Sequence, residues 1–196
     1  SDGSSRAVRG VTIFAEKPAG TILGSFLSIV NATLVENVTI IIYDAALTVE
    51  ADGLGQADAA CIVGAEGVAG VTLAVVRGSV TVTASGRFTA CVAGVVARLT
   101  SAGHYTSQWT LRLASSLFLA DAATIRVASA STGGSAMLAV AGRTLAIDMD
   151  MVDVAFVARS SHLAAATNTT IDSESPCVVL GAALTVTGGP GRVTAA

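Results

Sequence analysis

A short run, Asn37 to Gly53 (NVTIIIYDAALTVEADG), has near copies of itself further along the chain, and this repetition limits the folds available more than any other feature. A shift of 33 residues lays Val38-Thr39-Ile40 over Val71-Thr72-Leu73, Leu47-Thr48-Val49 over Val80-Thr81-Val82, and Gly53 over Gly86. The pentapeptide Ala45-Ala46-Leu47-Thr48-Val49 returns unchanged as Ala182-Ala183-Leu184-Thr185-Val186, ahead of a second glycine-rich turn at Gly188-Gly189-Pro190-Gly191. Self-similarity at a set spacing marks an array whose units bury their apolar faces against their neighbours. The 196 residues have room for about six such units in one domain, 1–196.

The kind of side chain available decides what those units are. Hydrophobic residues make up 52% of the chain but aromatic ones only 4%, so any core is layered from Ala, Val, Leu and Ile. Small and β-branched side chains suit pleated surfaces, and the recurring Thr-Val, Thr-Ile and Thr-Leu pairs favour strand over helix.

Read in order, the chain supplies many short strand signals. Gly10-Val11-Thr12-Ile13 opens with the signature that reappears at Gly70 to Leu73, and Lys17-Pro18-Ala19-Gly20 reads as a break. Ile22 to Val30 alternates with a period of two, which predicts one further strand, and Leu54 to Ala60 reads as a loop. Phe88 to Leu99 has partly helical spacing, yet Gly94 and its strand formers favour a strand. Beyond Ser107, Trp109 to Leu113, Leu117 to Leu119 and Thr124 to Val127 read as separate strands. Leu138 to Val140 follows, then Thr144 to Ala158 as the longest strand, with His162 to Pro176 as a loop bearing a short strand at Thr170-Ile171. The expected fold is all-β, a right-handed parallel β-helix or β-solenoid. An antiparallel β-sandwich is the alternative, but it has no reason to keep a 33-residue register.

Charge and cysteine usage remove several function classes. A net charge of −3, with no run of Lys or Arg, lacks the basic footprint that nucleic acid or an acidic membrane surface requires. Cys61, Cys91 and Cys177 have no CxxC spacing and only His104 and His162 to assist them, so no zinc site and no other cofactor is expected. Three cysteines allow at most one internal disulfide, its pairing left open. The most apolar window, Ala59 to Val76, is interrupted by Glu66 and by glycines and overlaps the repeat, so this segment is not expected to insert in a membrane. The opening Ser1-Asp2-Gly3-Ser4-Ser5-Arg6 reads as a mature product or a fragment of a longer chain.

Candidate chemistry is sparse. Asn31-Ala32-Thr33, Asn37-Val38-Thr39 and Asn168-Thr169-Thr170 are acceptor sequons for a glycan, should the chain be secreted by a eukaryote. Asn in such a repeat can instead stack in a turn ladder. Asp148, Asp150 and Asp153 form the densest acidic group, flanked by Arg143 and Arg159. On a strand, Asp148 and Asp150 share a face about 7 Å apart. That arrangement suits calcium or sugar chemistry, or simply a solvent-facing row opposite inward Ile147, Met149 and Met151. No Gly-x-Ser-x-Gly elbow and no phosphate-binding glycine loop occurs. Tyr43, Tyr105, Trp109 and Phe118 are candidates for a sugar-stacking platform or for core.

The Val-Thr-Ile and Leu-Thr-Val repeats with Asn-x-Thr sequons, at Asn37 to Val49 and again at Ala182 to Val186, resemble the large repetitive surface proteins of kinetoplastid protozoa, the dispersed gene family type. The resemblance implies a cell-surface β-helical segment of a much longer protein, with adhesive roles and no catalysis. Two functions are therefore expected in competition. One is a non-enzymatic, extracellular or cell-surface structural or adhesive segment, joined to flanking repeats and meeting carbohydrate or a host or cell-surface protein. The other is a β-helix carbohydrate-active enzyme, a lyase or hydrolase, using Asp148, Asp150 and Asp153 with Arg143 or Arg159.

Overall fold

The computed structural model describes residues 6–52, 56–85, 90–96, 108–129, 135–138, 140–141, 146–167 and 192–195. Among them every regular element is a strand, and every ladder between strands is parallel. That rules out the antiparallel sandwich, whose hairpins would run neighbouring strands in opposite directions. The window Ala59 to Val76 falls in three strands and the short links between them, and no described helix is long and apolar enough to cross a membrane.

The chain returns to the same two sheets in successive passes. The first pass contains β1 (Ala7–Arg9), β2 (Thr12–Glu16), β3 (Ala19–Leu23), β4 (Ser25–Phe26) and β5 (Ile29–Val30). The second contains β6 (Leu34–Glu36), β7 (Thr39–Ala51) and β8 (Ala57–Val63), and the third β9 (Gly67–Ala69), β10 (Thr72–Ala84) and β11 (Ala90–Val96). The fourth contains β12 (Gln108–Ser129), β13 (Ser135–Met137) and β14 (Val140–Ala141). β15 (Ala146–Arg159) and β16 (His162–Thr167) make the fifth, and β17 (Arg192–Ala195) pairs onto β15. An 11-stranded sheet holds β1, β2, β3, β6, β7, β9, β10, β12, β15, β16 and β17, and a 6-stranded sheet holds β4, β5, β8, β11, β13 and β14.

Register follows the repeat where the repeat exists. β7 and β10 pair residue by residue, from Thr39 with Thr72 to Ala51 with Ala84, and β8 pairs with β11 at the same shift of 33. The other steps differ: Thr12 lies beside Thr39, Thr72 beside Leu117 and Leu117 beside Ala155, shifts of 27, 45 and 38. In the second sheet the first and second passes also keep the shift of 33, with Ser25 beside Asp58 and Ile29 beside Ile62, so the fixed period expected from sequence covers one whole step and part of another. Length varies in the connections, between β7 and β8 and between β11 and β12, while the paired segments keep their length.

Each pass bends at single residues with left-handed backbone, and these corners stack. Gly10, Asn37, Gly70, Ser115 and Asp153 form one column, with φ of 64, 52, 61, 46 and 54°. Lys17, Asp44, Arg77, Ala122 and Ser160 form a second, and Leu27, Ala60, Ala93 and Leu138 a third. The ladder runs through the corners: the N–H groups of Gly10, Asn37 and Gly70 donate to the carbonyls of Glu36, Ala69 and Ala114 in the next pass. A non-glycine residue in this region costs on the order of 1–2 kcal/mol, which the hydrogen bonding and burial on both sides of each corner offset.

Between corners the strands alternate. Inward residues form rows such as Ile13, Ile40, Leu73, Phe118 and Phe156, in which Phe118 and Phe156 stack with ring centroids 5.0 Å apart. Ile40, Leu73 and Phe118 are fully buried, each burial stabilising by about 1.5–3 kcal/mol. Outward rows such as Thr12, Thr39 and Thr72, or Thr21, Thr48 and Thr81, account for the abundance of Thr.

Several sequence expectations are corrected at this level. Ile22 to Val30 is three strands broken at Gly24 and Leu27, both of positive φ. Ala57 to Ala60, read as loop, belong to β8, and the start of the loop read from His162 is β16. The three strands read between Trp109 and Val127 are one element, β12, bent at Ser115 and Ala122. The copy at Ala182 to Val186 lies outside the described residues.

Candidate functional site

The second sheet holds the one strongly perturbed ionisable group among the described residues. β8 and β11 are buried at every position. Ala57 and Ala59 of β8 face the core, so the alternating Asp58 points from the opposite face, with no exposed surface. Ser25 Oγ donates to Asp58 Oδ2 and Gln56 Nε2 donates to Oδ1, both at 3.0 Å. Burial pushes the Asp58 carboxyl up to about 7, and the two hydrogen bonds only partly counter it.

Next to this carboxyl lies a disulfide. Asp58 stands between Ser25 and Cys91 in the register of three successive passes, and Cys91 is bonded to Cys61. Both sulfur-bearing residues are fully buried, and Ser28 Oγ accepts the Cys61 N–H at 3.3 Å. Cys177 lies outside the described residues. The group therefore ties the first three passes together under the second sheet, and chemically it offers a carboxyl that exchanges a proton near neutrality beside a cross-strand disulfide.

Sequence reasoning missed Asp58 because Leu54 to Ala60 was read as loop. A signal was present: Ala57-Asp58-Ala59-Ala60-Cys61-Ile62-Val63 aligns with Ala90-Cys91-Val92-Ala93-Gly94-Val95-Val96 at the same shift of 33 that relates β7 to β10. A lone acid in an apolar run that is strand on both sides of the repeat marks a buried carboxyl.

The expected acidic site is placed as follows. Asp150 is exposed on β15, between buried Met149 and Met151, and Asp153 is exposed at a corner. Asp148 lies two residues before Asp150 in the same strand, Arg159 is exposed at the end of it, and Arg143 lies outside the described residues. The neighbouring strands bring Arg112 into register with Asp150 and Arg192 into register with Asp148. Opposite charges in facing positions are the ordinary currency of cross-strand pairing. Among the described residues no three of His, Cys, Asp and Glu come together as a metal-holding group.

Of the expected aromatic platform, Phe118 is core, Trp109 lies in β12 and Tyr105 falls outside the described residues. Tyr43 is on the outer face of β7 with a partner the sequence did not suggest, Phe14, its ring centroid 5.6 Å away. The Arg77 guanidinium lies 4.5 Å over the Tyr43 ring and 3.6 Å from the Asp44 carboxylate, linking passes two and three. The acceptor asparagines Asn31 and Asn37 are both exposed corner residues, with φ of 62 and 52°, and Asn168 lies outside the described residues. The amide oxygen of Asn37 packs against Gly70 in the next pass, where an added Cβ would meet it at 2.7 Å.

Comparison with family models, with curated proteins and with solved structures finds no match to this chain.

Proposed function

We propose that this chain is a non-enzymatic structural or adhesive segment of an extracellular or cell-surface protein, built as a right-handed parallel β-helix. The observation that carries the reading is the stacking itself: successive passes pair in parallel with their left-handed corners in columns. Right-handedness is supported by the strong chiral preference of connections between parallel strands of one sheet. Such a stack grows by adding passes and displays long flat faces, here lined by rows of Thr and small aliphatic residues. The buried disulfide favours an oxidising compartment, and two acceptor asparagines at exposed corners suit glycosylation there. The register of Asp148 and Asp150 with Arg192 and Arg112 favours a structural use of the acidic group over sugar cleavage.

Immobilised protein is tested against glycans and intact cell surfaces for retention, and in parallel against acidic polysaccharides for chain cleavage. Retention with polymer length unchanged is the expected result. Release of new sugar chain ends, abolished by Asp150→Ala, overturns the proposal.

A further inference from the structure

The inward rows are not sealed at the first pass. Val35, Val38, Ile40 and Val49 of the second pass are 0, 0, 1 and 0% exposed, and their successors Val68, Val71, Leu73 and Val82 are 1, 0, 0 and 0% exposed. Val8, Val11, Ile13 and Ile22, which begin the same rows, are only half-buried. Phe14, on the outer face of the same edge, is 55% exposed. Among the described residues β1, β2 and β3 have a strand partner on one side only. A parallel strand directs half its N–H and C=O groups to each side, so this edge offers an unused set of ladder groups.

Charge along the stack says what kind of partner fits. Arg9 pairs with Glu36 of the second pass at 2.7 Å. The second corner column alternates in sign over its first three positions, Lys17, Asp44 and Arg77, before Ala122 and Ser160, with Arg77 and Asp44 3.6 Å apart. Glu16 stands 4.0 Å from Lys17, and both are well exposed. The contacts that the second pass makes to the first, repeated one step outward, place an acid opposite Arg9 and another opposite Lys17.

We propose that the free edge of β1, β2 and β3 is a docking surface for one further parallel β-pass, carrying aliphatic residues on its inner face and acidic residues opposite Arg9 and Lys17. The inference rests on the stacked architecture of the preceding subsection and adds the place and chemistry of the partner. It extends an interface already present, since the second pass meets the first with the same features: Val35, Ile40 and Val49 inward, Glu36 beside Arg9 and Asp44 beside Lys17 in register.

The chain's own Leu34–Ala51 sequence, which holds those features, serves as the probe. The synthetic peptide is added to the whole protein and amide hydrogen exchange is followed in β1, β2 and β3. At saturation the peptide is expected to slow exchange there by tenfold or more, and a peptide with Glu36→Lys and Asp44→Lys is expected not to. Unchanged exchange at saturation, or equal slowing by the charge-reversed peptide, overturns the proposal. So does protection of these strands by concentration-dependent dimerisation of the protein alone, which assigns the edge to a second copy. Free protein separates this from the architecture beneath it. Slow exchange in β7 and β10 with no peptide effect removes only the docking surface, whereas β7 and β10 exchanging as fast as β1 removes the stack and the proposal together.

Discussion

Asp58 makes stability depend on pH in the direction opposite to a salt-bridged carboxylate. Its carboxyl is held at about 7 in the folded protein against 3.8 for the free side chain, so between these values the folded state keeps a proton that the unfolded chain releases. The contribution of this group is therefore fullest below about pH 4, declines as pH rises toward 7, and is gone above it. The distance between the two values corresponds to about 4 kcal/mol. Asp58→Asn keeps both hydrogen-bonding positions, since its amide donates to Ser25 and its oxygen accepts from Gln56. Denaturant titrations at pH 4 and 7 are expected to show the difference between the two pH values shrink by a few kcal/mol in the variant. Gly78 gives a second test at this scale. With φ of 86° it follows the Arg77 corner, and a Cβ there would collide with the backbone of Ala45 in the pass beside it. Gly78→Ala is expected to destabilise by about 3 kcal/mol or more, read as a lower denaturant midpoint.

At the level of elements, what could be read from sequence depended on whether the side chain or the backbone carries the information. Inward and outward alternation is written in residue type, so β7 and β10 were visible as strands and as neighbours, and Met149 and Met151 were expected inward, where they lie. Corners are written in type only where the residue tolerates positive φ. Asn37, Asp44, Gly70 and Asp153 are of that kind, and Lys17 is betrayed only by the Pro18 and Gly20 beside it, whereas Leu27, Ala60 and Ala93 give no sign of turning. This is why Ile22 to Val30 looked like one strand, whereas the start of β8 looked like a loop because the Leu54 to Ala60 stretch carries glycine and polar residues. Asp58 was lost with β8, and the pairing of Cys61 with Cys91 stayed open because only register brings β8 beside β11. The alternation also ranks substitutions. Leu73→Ala, in a fully buried inward row, is expected to lower stability by about 2–5 kcal/mol, and Thr48→Ala, on the outer face of β7, by no more than about 0.5 kcal/mol. Parallel thermal melts of the two variants check the ranking.

For the whole molecule, the unequal shifts of 27, 33, 45 and 38 residues explain why only one repeat stood out: the paired segments keep their register while the connections vary in length, so constant spacing relates passes two and three throughout but passes one and two only in the second sheet. Pairing between consecutive passes also makes cohesion a chain of neighbour contacts, with few direct ties between distant passes. The Cys61–Cys91 bond strengthens one such link, between passes two and three, closing a loop across a sequence separation of 30. Chain-entropy arguments put a loop of that length at about 3–4 kcal/mol. Because both cysteines are fully buried in strands buried on each side, a dithiol reductant cannot reach the bond unless the second sheet opens. Reductant alone is therefore expected to leave the native protein oxidised over hours, while reductant with sub-denaturing urea reduces it and lowers the unfolding midpoint. Thiol labelling followed by mass measurement reads the first effect and a urea titration the second. Rapid reduction in the absence of urea would mean that the second sheet opens easily, so that the link between passes two and three is no stronger than its exposed neighbours.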